Sequence, residues 1–63
     1  MKFYVYTTRD GRTVWWTQRD KTGNHYEIER RGLFPYVFIA RYGGQTIGVF
    51  DTFADAEKAI KNH

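Results

Sequence analysis

The chain has no cysteine and no serine, a single proline, a single methionine and two histidines. Without cysteine there are no disulfides and no thiolate metal sites. Without serine or cysteine the commonest catalytic nucleophiles are missing. No apolar run is long enough to span a bilayer. Met1-Lys2-Phe3-Tyr4-Val5-Tyr6 alternates and has no signal-peptide core. These absences predict a non-enzymatic protein with no cofactor, no bound metal and no membrane partner, located in the cytoplasm.

What is present is aromatic: two Trp, five Tyr and five Phe in 63 residues. A chain this short is expected to form one domain over residues 1–63, and it needs a dense core or a partner to be stable. Each large ring can bury roughly 150–250 Å², so the aromatics can supply that core. The net charge of +3 is uneven. Residues 1–41 hold eight Lys/Arg against four Asp/Glu, and residues 42–63 hold two against three. A basic half is compatible with nucleic acid.

Turn chemistry divides the chain at Asp10-Gly11, at Lys21 to Asn24, at Gly32 to Pro35 and at Gly43-Gly44. Strand-favouring residues fill the intervals 2–8, 12–18, 25–30, 36–42 and 45–50. The short connections predict a sequential antiparallel meander. After Phe50 the period changes. Thr52 is placed as an N-cap with Asp55 three residues on, Phe53, Ala56 and Ile60 share one helical face, and Lys58 and Lys61 lie at the C-terminal end. The predicted fold is α+β: an antiparallel meander of four to five strands with one C-terminal helix on one face.

Two-residue turns at Asp10-Gly11 and Gly43-Gly44 sort the side chains between faces. Phe3, Val5, Val14 and Trp16 then face the helix, together with Tyr36, Phe38, Ala40, Tyr42, Ile47 and Val49. The open face carries Tyr4, Tyr6, Trp15, Val37, Ile39 and Arg41, a mixture that interfaces favour. These six are the predicted partner-binding residues. In a meander alternate turns share one end, which gathers Arg9, Arg12, Arg30 and Arg31 into a predicted basic patch able to grip phosphates or an acidic protein surface. His25, Glu27 and Glu29 share a strand face and read as a solvated polar strand, since no further ligand pairs with them.

The segment Ile47-Gly48-Val49-Phe50-Asp51-Thr52-Phe53-Ala54-Asp55-Ala56-Glu57-Lys58-Ala59 resembles the strand–helix junction of the plant ethylene-response-factor type DNA-binding domain. It is also similar to the arm-binding domain of phage integrases. The resemblance implies a sheet with a packed helix that reads the DNA major groove with its sheet face. The matching contact positions here are Ile39, Thr46 and Gly48, and only Arg41 agrees in kind. In size and style the chain also resembles small phage-encoded inhibitors of host or defence complexes, the anti-CRISPR proteins among them. Three functions follow as expectations: a protein-binding inhibitor acting by surface occupancy, a sheet-face DNA-binding module, and a homo-oligomer joined by its open face or edge strand.

Overall fold

The computed structural model describes residues 2–63. Five strands, β1 (Tyr4–Thr7), β2 (Thr13–Trp16), β3 (Tyr26–Arg31), β4 (Val37–Tyr42) and β5 (Gln45–Phe50), precede one helix, α1 (Phe53–Lys61). The strands form one antiparallel sheet in the order β1-β2-β3-β4-β5. The α+β meander read from the sequence is therefore the architecture of the chain.

Local chemistry starts the helix. Thr52 is the N-cap, and its hydroxyl accepts a hydrogen bond from the Asp55 backbone N–H at 3.1 Å. Asp55 in the first turn and Lys58 and Lys61 in the last match the helix dipole. A nine-residue helix is marginal alone, so it depends on the sheet. It lies over β3, β4 and β5. Ala56 and Ile60 are buried against Ile28 and Ala40, ringed by Phe3, Trp15, Tyr26, Phe38, Ile47, Phe50 and Phe53.

The first hairpin departs from the sequence reading. Its register pairs Thr7 with Thr13 and Tyr6 with Val14, one residue away from a two-residue turn. The loop is Arg9-Asp10-Gly11, closed by Thr8 N–H donating to the Arg12 carbonyl at 2.8 Å. The Thr8 hydroxyl accepts from the Arg12 N–H at 3.0 Å. Gly11 holds the left-handed position, φ +88°, that a three-residue hairpin loop needs at its end. A one-residue slip turns every β2 side chain over. Trp15 thus faces the helix, its ring 4.9 Å from that of Phe53, and Val14 and Trp16 take the open face.

The second hairpin keeps its Gly43-Gly44 turn, with Tyr42 opposite Gln45 and Arg41 opposite Thr46. The register then shifts between Ala40 and Arg41, so that Ala40 pairs with Gly48 and Ile39 with Val49. Ile47 is the extra residue of this bulge. Val49, expected against the helix, is carried to the open face, and Gly48 is carried inward. A Cβ on Gly48 would lie 2.7 Å from Phe50 Cζ, so the bare glycine makes room for that ring.

Candidate functional site: the open sheet face

Two rows of side chains cross the sheet on the face away from α1. One is Tyr6, Val14, Glu29, Ile39 and Val49; the other is Tyr4, Trp16, Glu27, Arg41 and Thr46. Beyond the first row, Arg31 and Val37 pair on the same face at the tip end of β3 and β4. Of the six residues assigned to this face from the sequence, Tyr4, Tyr6, Val37, Ile39 and Arg41 are on it. Trp15 is not, because of the slipped register of the first hairpin, and Trp16 takes its place.

Glu29 is the centre of the face. It is 4% exposed, although no helix or second sheet covers it among the described residues. Its flanking neighbours Val14 and Ile39 are also buried. The cover consists of arginine side chains that converge on the carboxylate. Arg41 donates to Oε1 at 2.8 Å, and Arg31 and Arg12 donate to Oε2 at 2.9 and 3.0 Å. All three guanidinium groups thus meet one buried charge. Burial pushes the Glu29 carboxyl up, but the hydrogen bonds from Arg41, Arg31 and Arg12 outweigh it and hold the group below its ordinary value of 4.5.

The network extends outward. Arg41 also approaches Glu27 at 3.6 Å, and Glu27 lies 3.7 Å from His25 Nε2. Arg12 bonds Asp10 at 3.2 Å, and Asp10 is held below its ordinary value by the Thr8 hydroxyl and by Arg12. The three arginines of the face are thus matched by Glu29, Glu27 and Asp10. Beside the network lies an aromatic corner, where the Tyr4 and Trp16 rings are 4.9 Å apart and Trp16 meets His25 edge-on. Exposed apolar side chains complete the surface: Tyr6, Val37 and Val49. Ile39, expected as a contact, is 9% exposed and offers little surface.

The four-arginine patch does not assemble as one surface. Arg12 and Arg31 lie on the open face, where each donates a hydrogen bond to Glu29. Arg30 belongs to the helix side, donating to the Thr13 hydroxyl at 3.2 Å and stacking 4.3 Å over the Tyr36 ring. Arg9 sits in the first hairpin loop. Strand alternation separates Arg30 from Arg31, so a shared end of the sheet is not a shared face.

Sequence reasoning missed Glu29 as an organiser, and Val14, Trp16 and Val49 as members of the face. The signal for Glu29 was the run Glu29-Arg30-Arg31, where i and i+2 share a face, but Arg12 and Arg41 reach it only through the register of two other strands. Elsewhere, an open cavity of about 310 Å³ is lined by Tyr42, Gln45, Thr46, Ile47 and His63. Asp20, in the loop between β2 and β3, accepts from Thr22 and Tyr42, which lower it to about 2. No group of three His, Cys, Asp or Glu is placed to hold a metal ion among the described residues. No helix among them is long and apolar enough to cross a membrane. Comparison with protein-family models, with curated proteins and with solved structures finds no match to this chain.

Proposed function

We propose that this chain is a non-enzymatic protein-binding module that occupies a partner's surface with its open sheet face, in the manner of a small inhibitor of a host or defence complex. The observation that carries the reading is the internal charge balance of that face. Arg12, Arg31 and Arg41 are each committed to a carboxylate within it. A surface that grips a nucleic-acid backbone needs unspent cations, because affinity comes from neutralising phosphates. Here the arginines and carboxylates form a charge-balanced network between Tyr4 and Trp16 on one side and Val37 and Val49 on the other. Aromatic rings, aliphatic groups and arginine beside a satisfied polar network match the composition of protein interfaces.

The test combines two measurements. Mobility-shift assays with duplex and single-stranded DNA at low ionic strength are expected to show no salt-sensitive complex. Affinity capture from the natural host after nuclease treatment is expected to recover a protein that is lost when Tyr6 and Val49 are changed to Asp. Both residues are exposed, so these variants are expected to retain the fold. A complex that survives those changes but vanishes with nuclease or with added salt would overturn the proposal in favour of DNA contact by the sheet.

A further inference from the structure

Leu33 and Phe34 are 91% and 86% exposed. They are adjacent, and they occupy the loop between Arg31 and Val37, the last pair of the β3–β4 hairpin. Scattered exposed apolar residues are ordinary, but two large neighbours at a protruding tip form a patch that water covers at a cost. The residues behind them are ordered by polarity. The Phe34 ring meets Tyr36 edge-on at 6.2 Å, and Arg30 stacks on the same Tyr36. Arg31 stands on the opposite face of the hairpin beside Glu29. From the tip backward the hairpin therefore presents two apolar side chains, an amphipathic ring and then a guanidinium on each face. Residues 30–36 contain no carboxylate.

We propose that this tip is a contact for an anionic bilayer surface, with Leu33 and Phe34 entering the boundary between headgroups and acyl chains, Tyr36 at headgroup level and, at the lipid phosphates, Arg30 and the outer side of the half-exposed Arg31, whose Nε bonds Glu29. The layering matches the interface in order: apolar groups deepest, tyrosine at the boundary, cations outermost. The two arginines flank the hairpin on both faces, which suits end-on entry into a plane. A protein pocket approached by the open face would use cations of that face alone. Arg9, in the adjacent loop at the same end of the sheet, adds to the attraction. Asp10 and Glu29, the acidic groups nearest, are engaged by Arg12 and by Arg12, Arg31 and Arg41 respectively. Asp51, following Phe50 at the end of β5, and Asp55 on α1 oppose it. With the hairpin along the membrane normal, most of the open face stands clear of the bilayer; the two proposals share only Arg31 and Val37 at the tip end of the hairpin, and changes at Leu33 and Phe34 touch neither.

The experiment uses the full chain with extruded vesicles of phosphatidylcholine alone or with one-quarter phosphatidylglycerol. Because the chain has no cysteine, a single Leu33→Cys or Lys58→Cys change accepts one environment-sensitive fluorophore. Cosedimentation with the phosphatidylglycerol vesicles at low salt is expected. It should fall roughly tenfold or more in the double variant Leu33→Ser, Phe34→Ser. The label at position 33 should brighten and shift to the blue, while that at position 58, on the exposed side of α1, should not respond. The exchange Leu33→Phe with Phe34→Leu should preserve binding, since a fluid acyl region reads apolarity and a protein pocket reads shape. No cosedimentation, undiminished cosedimentation of the serine variant, loss in the exchange variant, or an equal response from both labels would overturn the proposal.

Discussion

Replacing Glu29 by glutamine removes one charge and hardly any volume, yet it strikes the point where three strands are tied on the open face. Glutamine keeps one acceptor oxygen and turns the other into a donor. The Glu29 side chain is 6% exposed, and its best-covered partner, Arg41, is 20% exposed; a charge-assisted hydrogen bond so placed contributes about 2 kcal/mol. Arg12 and Arg31 are more exposed, so each of their bonds contributes only about 0.5 kcal/mol. Whichever way the amide turns, it must present its N–H₂ either to Arg41 or to Arg12 and Arg31, and three guanidinium groups then surround a neutral side chain. Recovered desolvation of the carboxylate offsets part of the loss. The expected destabilisation is about 2 kcal/mol, equivalent to a Tm lower by about 8–16 °C for a domain of this size. Urea unfolding should show a lower midpoint at unchanged slope.

The pH dependence supplies an independent check. Because the Glu29 carboxyl is held below its ordinary value of 4.5 in the folded chain, its contribution is fully present above that value. It is lost as pH falls through the lower folded value. The gap in stability between wild type and Glu29→Gln should therefore be constant near neutrality and close on acidification below 4.5. A loss under about 0.5 kcal/mol at neutral pH, within the range of ordinary surface substitutions, or a gap that ignores acid, would refute the network as the organiser of this face.

The two adjacent tryptophans should behave oppositely: Trp15→Ala, which removes a ring packed on Phe38 and Phe53, should cost about 3–5 kcal/mol in urea unfolding, whereas Trp16→Ala should cost far less and instead weaken partner binding measured by calorimetry. Thr52→Ala removes the helix cap and should cost about 1 kcal/mol, visible in the same unfolding assay and as faster amide exchange in the first turn of α1. Gly48→Ala forces the Phe50 ring to move and should cost about 1–3 kcal/mol, read as a lower unfolding midpoint.

Sequence alone determined the elements and their order. Strand propensity, the glycine-bearing turns and the Thr52–Asp55 cap are local, acting within a few residues, and they place five strands and the helix close to where they lie. The core pattern Phe53, Ala56, Ile60 was legible for the same reason. Most of the open face was legible too, since Tyr4, Tyr6, Val37, Ile39 and Arg41 alternate correctly within their own strands. Tertiary structure decided the registers. Asp10-Gly11 fits both a two-residue turn and the end of a three-residue loop, and the register adopted is the one that sets Trp15 rather than Trp16 against Phe53. The β4–β5 register shifts at Ile47, and the bare Gly48 beside it leaves room for the Phe50 ring. Each choice moves the chain by one residue, and with a side-chain period of two that exchanges the faces. The Glu29 network has the same origin. Arg31 is two residues from Glu29 on the same strand, but Arg12 and Arg41 are distant in the chain, and only pairing across β2, β3 and β4 brings them to the same carboxylate.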